Sequence, residues 1–145
     1  MSVKTIVAAV AGGAVFFVLG FLIYGLALSQ YMQTLTVQYS GLFKLQPNFV
    51  AIALFTLTWG GLLAMIFDYW ADIRTFAGGA IAGAIIMFLI SFAHEMQTKA
   101  FMVLSIGYIP VIVNVVVMAF MGAIAGGVVG SVLGAMTKEP TASTE

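Results

Sequence analysis

The chain has 145 residues, of which 63% are hydrophobic and 7% are charged, and its formal net charge at pH 7 is zero. A soluble domain carries about 25% charged residues, so this composition excludes an ordinary water-soluble protein and requires lipid as the solvent. The lack of a basic block argues against nucleic acid as a partner, and the absence of cysteine excludes disulfides and thiolate metal sites.

Four apolar segments are each long enough to cross a bilayer, which takes about 20 residues. They cover approximately residues 3–28, 49–67, 75–93 and 111–136. Their continuous apolar character favours helices over the alternating pattern of barrel strands. We therefore predict an all-α membrane protein with one domain at 1–136, a bundle of four transmembrane helices packed through glycine and small-residue stripes. The segment 137–145 has the composition of a disordered polar tail.

The first segment begins near Lys4, and the sequence ALSQ (27–30) at its end resembles a signal-peptide cleavage site. The apolar region of a signal peptide has about 7–15 residues, and this segment is well over 20. We expect it to remain in the membrane as a helix.

The positive charges give a weak orientation signal. Lys4, Arg74 and Lys138 would share one side of the membrane, and Lys44 and Lys99 the other. This excess predicts that both termini are cytoplasmic.

The connecting loops differ in character. The loop 29–48 has apolar residues near helical spacing and is expected to lie on the membrane surface. The turn DYWADIR (68–74) gathers Asp68, Asp72 and Arg74. We predict that Asp72 either caps the third helix or favours its positive N-terminal end, and that Arg74 pairs locally and anchors at the headgroups.

The polar residues near the far end of the third segment are the main functional candidates. His94 and Glu95 follow that segment, Asn114 lies about one turn into the fourth, and Lys99 is close in sequence. Together they could form a polar pocket open to the outside, with Glu95 holding His94 charged. In the alternative interpretation, His94 and Glu95 mark the membrane boundary and Asn114 makes an interhelical hydrogen bond.

Glycines recur at intervals of four in the fourth segment, although glycine weakens a helix interior in water. Between membrane helices there is no hydrophobic gain, and small residues allow the close backbone contact that supplies dispersion instead. We predict that these glycines pack the bundle, and alternatively that the fourth helix also meets a second copy of the chain. The predicted packing glycines are Gly12, Gly20, Gly60, Gly79, Gly83, Gly122, Gly126, Gly130 and Gly134.

A faint internal repeat is visible in the same segments. AGGA opens the first segment at 11–14 and the third at 77–80, and a proline precedes the second (Pro47) and the fourth (Pro110). This pattern hints at a duplicated helix hairpin.

The stretches FFVLGFLIYGLAL (16–28), FDYWADIRTFAGGAIAGAIIMFL (67–89) and VNVVVMAFMGAIAGGVVGSVLG (113–134) resemble a group of small, uncharacterised four-helix bacterial inner-membrane proteins, a domain-of-unknown-function family. The resemblance covers about half of the chain and rests on glycine patterns. It implies a bacterial, integral-membrane, helical protein, and it brings no activity and no catalytic residues.

No nucleophile–base pair, phosphate loop or metal-ligand spacing is visible, so we expect neither an enzyme nor a cofactor. The leading interpretation is a structural or accessory membrane protein, either a homo-oligomer or a subunit of a larger complex. The alternative is a minimal oligomeric transporter or channel for a small solute or ion, with a polar lining from Thr56, Ser91, His94 and Asn114.

Overall fold

The structure, a computed structural model, describes residues 2–37, 39–41, 44 and 46–137. Within this part of the chain the α-helices are α1 (Val3–Gly20), α2 (Ser29–Leu35), α3 (Phe49–Met65), α4 (Phe76–Phe101) and α5 (Ile109–Thr137). Two π-helical segments, Phe21–Ala27 and Ile66–Trp70, continue α1 and α3. Beyond Thr137 the predicted polar tail lies outside the described residues.

Four of the helices are long and apolar enough to cross a membrane. They are Val3–Ala27, Phe49–Trp70, Phe76–Phe101 and Ile109–Thr137. The prediction of an all-α protein, consistent with a bundle of four membrane-spanning helices, is confirmed. Helix α4, the third membrane-spanning helix, continues past residue 93 to Phe101, because polar residues at the membrane boundary do not stop a helix and Lys99 favours its C-terminal end.

The helices begin where the sequence supplies caps. The side chains of Ser2, Asn48 and Thr75 accept hydrogen bonds from the first turns of α1, α3 and α4. The prediction that Asp72 caps α4 is therefore wrong. The side chain of Thr75 caps this helix, accepting a hydrogen bond from the Gly78 backbone N–H at 3.2 Å. Asp72 instead occupies the turn before it, with φ at 47°, a left-handed conformation that aspartate tolerates.

The bundle is built from two antiparallel hairpins. Helix α1 packs on α3, α4 packs on α5, and the hairpins meet where α1 packs on α5. The core along these contacts contains Phe16, Leu63, Phe67, Met87 and Val129, each at most 1% exposed. Large apolar side chains on the outer faces remain exposed, as lipid-facing residues must.

The α4–α5 contact is made backbone to backbone by glycines. A methyl group placed on Gly126 would lie 2.9 Å from the Cα of Gly83 and would also collide with the carbonyl oxygen of Gly79. A methyl group on Gly122 would lie 2.5 Å from the carbonyl oxygen of Gly83. Any larger residue at these positions must separate the two helices.

The α1–α3 contact is also made backbone to backbone, at Gly60. A methyl group on Gly60 would lie 2.9 Å from the Cα of Gly13 and would strike the carbonyl oxygen of Ala9. One on Gly12 would lie 3.3 Å from the Cα of Gly60. By contrast, Gly20 has more room, since its nearest neighbour would be the Cε of Met121 at 3.7 Å.

The glycine stripe on α5, Gly122, Gly126, Gly130 and Gly134, packs against other parts of the same chain. Gly130 faces the backbone of Thr75 and Gly79, and a methyl group on Gly134 would strike the carbonyl oxygen of Arg74. Gly126 and Gly130 are buried. Within one chain, α4 and the turn before it therefore occupy this stripe.

The two hairpins repeat one contact. Gly13 faces Gly60, and Gly79 faces Gly126. The separation along the chain from Gly13 to Gly79 equals that from Gly60 to Gly126, which defines one common offset. The buried positions of α3 and its continuation, Thr56, Gly60, Leu63, Ala64 and Phe67, correspond at that offset to buried Gly122, Gly126, Val129, Gly130 and Leu133 of α5. A duplicated helix hairpin would produce this correspondence.

The loops at the α2 end of the bundle pair with one another. Thr36 and Ser105 form an isolated antiparallel bridge, and the backbone N–H of Val37 donates to the carbonyl of Leu104 at 2.9 Å. Gly107, with φ at 67°, supplies the left-handed turn that leads into α5. This pairing places the end of α4, the start of α5 and the end of α1 around one site.

Candidate functional site

A hydrogen-bonded network joins three helices at this end of the bundle. The hydroxyl of Tyr24 donates to Oδ1 of Asn114, and Nδ2 of Asn114 donates to Oε1 of Glu95 at 2.6 Å. Tyr24 follows α1, Glu95 lies on α4 and Asn114 lies in the second turn of α5. We name this set the Tyr24–Asn114–Glu95 network, and its end of the molecule the Glu95 end.

The π-helical segment Phe21–Ala27 carries Tyr24 into the network. Its wider turn closes with a hydrogen bond from the backbone N–H of Leu28 to the carbonyl of Ile23 at 2.7 Å. Such segments add a residue to the turn and are frequent at functional sites. Tyr24 lies on the side of the helix that faces α5, as do Gly12, where a methyl group would meet Val129, and Gly20, where it would meet Met121.

The structure brings two of the three sequence candidates into direct contact. Glu95 and Asn114 are bonded, whereas the exposed His94 lines the neighbouring space without bonding to either. Lys99 points away, since its Nζ donates to the carbonyl of Ser105 at 2.9 Å and lies 5.2 Å from the ring centre of Tyr108. In the described part of the chain, ion pairs form only at Asp68 and Asp72, so Glu95 makes no ion pair with His94.

Three cavities adjoin this network. One of about 400 Å³ contacts Tyr24, Glu95 and Asn114 directly. A second of about 360 Å³ shares His94 and Glu95 with it and is bounded by the paired loops at Thr36 and Ser105. A third of about 510 Å³ shares Tyr24, Phe55, Trp59 and Met118 with the first and is apolar along most of its wall.

Sequence reasoning missed Tyr24 and Trp59. Tyr24 lies within an apolar segment, and nothing in the sequence shows that Asn114 packs beside it. Trp59 sits in the middle of an apolar segment, and its indole Nε1 is buried without a hydrogen-bond partner among the described residues. Its ring packs edge-on against Phe55, with centres 5.8 Å apart.

Thr56 and Ser91 were predicted as polar lining for a transport path. Both are buried, and each hydroxyl donates to a carbonyl of its own helix: Thr56 to Ala53 at 3.0 Å and Ser91 to Phe88 at 3.2 Å. Such bonds satisfy the hydroxyl locally. Ser91 lines the same cavity as His94 and Asn114, and Thr56 lines the adjoining apolar one, but each hydroxyl bonds within its own helix and not to the Tyr24–Asn114–Glu95 network.

A second polar cluster closes the opposite end, which we name the Asp68 end. The Asp68 side chain is 3% exposed and its Oδ1 lies 3.1 Å from Nζ of Lys4 and 2.8 Å from Nη1 of Arg74. The Thr5 hydroxyl donates to Oδ2 of Asp68. The second π-helical segment, Ile66–Trp70, carries Asp68. As predicted, Arg74 pairs locally, and its Nη2 also lies 2.9 Å from Oδ1 of Asp72.

The network at the Glu95 end should be measurable as a coupling energy. In a double-mutant cycle of Tyr24→Phe and Asn114→Ala, we expect a coupling of about 0.6 kcal/mol in the free energy of unfolding, the average for hydrogen bonds between membrane helices, and at most about 1.7 kcal/mol. The measurement is unfolding of the purified protein in mixed micelles. A cycle of Tyr31→Phe, at a 47% exposed tyrosine of α2, with Asn114→Ala should give no coupling. Equal coupling in both cycles would contradict the assignment.

Comparisons with known proteins found no matching family model, no matching curated protein and no matching solved structure. The functional conclusion therefore depends on the site geometry and on the arrangement of the helices.

Proposed function

We propose that this protein is a non-enzymatic integral membrane protein of the structural or accessory type, acting as a homo-oligomer or as a subunit of a larger membrane complex. We place it in the bacterial inner membrane with both termini in the cytoplasm, on the basis of the family resemblance and of the sequence, which is expected to put Lys4, Arg74 and Lys138 on one side and Lys44 and Lys99 on the other. Its partners are then the lipid bilayer and other membrane proteins.

One observation carries the proposal: the polar groups are segregated to the two ends of the bundle. Between them, the described buried polar side chains are Thr56 and Ser91, and both are satisfied within their own helices. The helices touch backbone to backbone at Gly60 and at Gly126. A single chain packed in this way offers no continuous polar path for a solute, which favours a supporting role over transport.

Native mass spectrometry of the protein, extracted gently from its own membrane, tests this proposal. We expect a defined assembly, either of several copies or with a distinct membrane protein. A variant with bulky substitutions on the lipid-facing side of α4, such as Ile81→Trp and Ile85→Trp, tests whether that face makes the contact, since these residues are 64% and 54% exposed. A strictly monomeric protein with no co-purifying partner would contradict the accessory role.

The cavities at the Glu95 end favour a second candidate function, a minimal oligomeric transporter or channel. A path through such a protein would have to form between copies, because the interior of one chain is closed at the glycine contacts. Solute flux into vesicles containing the purified protein distinguishes the two functions. Flux that is abolished by Asn114→Ala would favour transport, and vesicles as tight as protein-free ones would favour the accessory role.

A further inference from the structure

The three cavities at the Glu95 end form a row that changes from polar to apolar. The cavity beside Thr36 and Ser105 adjoins the one at the Tyr24–Asn114–Glu95 network, because both contact His94 and Glu95. The third continues from Trp59 toward Phe21 and Phe49, which are 52% and 58% exposed on the outer surface of the bundle. A row with a polar end at the membrane boundary and an apolar end beside lipid matches the shape of an amphiphile.

The charge at the polar end is uncompensated. Oε1 of Glu95 accepts one hydrogen bond from Asn114, and the carboxylate has no ion-pair partner among the described residues. No lysine or arginine contacts any of the three cavities in the part of the chain that the structure describes. A half-buried carboxylate without a cation favours a positively charged ligand and disfavours a phosphate or sulfate group.

The side chains around this carboxylate suit an organic cation. Tyr24, Phe55 and Trp59 contact the same cavity as Glu95, and aromatic faces attract ammonium groups, tryptophan most strongly. Among the described residues, no three histidine, cysteine, aspartate or glutamate side chains gather to hold a metal ion. The π-helical segment contributes Phe21, Tyr24 and Gly25 to the apolar wall, so the irregular turn shapes the cavity as well as the network.

We propose that the Glu95 end binds an amphiphile with an ammonium head group, the head at Glu95 and the aromatic residues and the apolar chain in the cavity that opens toward lipid. This site does not depend on the accessory function proposed above, since each monomer carries all of its residues. Ligand binding to the purified protein, whatever its assembly state, therefore tests the site, and the assembly state tests the function.

Tryptophan fluorescence gives a direct measurement. The chain has two tryptophans, and Trp70 is 76% exposed at the opposite end, so Trp70→Phe leaves Trp59 as the only reporter. In dodecyl maltoside micelles, a neutral detergent, we expect octyltrimethylammonium to change the Trp59 emission saturably. Octyl sulfate and octyl glucoside, which share the alkyl chain, should not compete with it.

Charge removal supplies the decisive variant. Glu95→Gln keeps the acceptor for Asn114 and should weaken octyltrimethylammonium binding at least about tenfold, equivalent to about 1.4 kcal/mol. Asp72→Asn is the matched control, because it removes the same charge from an 85% exposed side chain at the other end. Its affinity should be unchanged.

A second variant tests the site if Glu95→Gln does not fold. Met118→Phe adds bulk at the wall shared by two cavities and should weaken binding with Glu95 intact. Unchanged affinity in a folded Glu95→Gln or Met118→Phe variant would overturn the proposal. Equal binding of octyl sulfate or octyl glucoside would overturn it as well.

Discussion

Gly126→Ala is expected to lower the free energy of unfolding by about 1–3 kcal/mol, the usual cost of overpacking a close-packed contact. The added methyl group would lie 2.9 Å from the Cα of Gly83 and would collide with the carbonyl oxygen of Gly79. Both obstacles are backbone, so no side chain can move aside, and α4 and α5 must separate. Gly126→Leu should prevent the bundle from forming. Unfolding of the purified variants in mixed micelles measures the effect.

Gly61 provides the matched control. A methyl group there would have nothing within 4 Å, and glycine costs a helix interior about 1 kcal/mol relative to alanine. Gly61→Ala should therefore leave stability unchanged or raise it slightly, while Gly60→Ala on the neighbouring residue should behave like Gly126→Ala. If Gly126→Ala proved as stable as Gly61→Ala, the packing of α4 against α5 described here would be wrong.

Removing the carboxylate of Asp68 is the second change with a large expected effect. The Asp68→Ala variant leaves Lys4 and Arg74 without their shared partner and deprives the Thr5 hydroxyl of its acceptor. Breaking a buried ion pair from one side costs about 3–5 kcal/mol. Because Lys4 and Arg74 are 30% and 21% exposed and can reach the headgroup water, we expect a loss of about 2–4 kcal/mol.

Asp72→Asn is the control for this change. Its carboxylate is 85% exposed although it also pairs with Arg74, and exposed ion pairs contribute at most about 1 kcal/mol. Asparagine also tolerates the left-handed conformation at this position. Chemical unfolding of each variant measures the loss in the free energy of unfolding. An equal loss for both substitutions would show that the burial of Asp68 does not contribute to stability.

The fold class was predictable because lipid leaves a chain so few options. Continuous apolar segments in lipid must form helices, and four such helices are present. Which helices would touch was not predictable, because small residues occur on every segment and several pairings satisfy them. The contacts of Gly12 with Gly60 and of Gly83 with Gly122 depend on the rotation of each helix, which no residue pattern here determines.

The candidate site was only partly predictable. Glu95 and Asn114 stand out as polar residues at the ends of apolar segments, and their contact at 2.6 Å agrees with the predicted interhelical hydrogen bond from Asn114. Tyr24 could not be identified, because tyrosine is an ordinary boundary residue and no residue pattern shows that it meets Asn114 of α5. One of the two cationic partners of Asp68 was also hidden: Lys4 is 64 residues away, and only the α1–α3 pairing brings them together.

The central claim, that the α5 glycines pack against α4 within one chain, can be tested by solid-state NMR in bilayers. In protein carrying ¹³C only in its glycines, we predict carbon–carbon cross-peaks between Gly79 and Gly126 and between Gly83 and Gly122. These peaks should persist when labelled chains are diluted into an excess of unlabelled chains. Absence of the peaks, or their loss on dilution, would contradict the account, because the glycines would then be packed elsewhere or against a second copy.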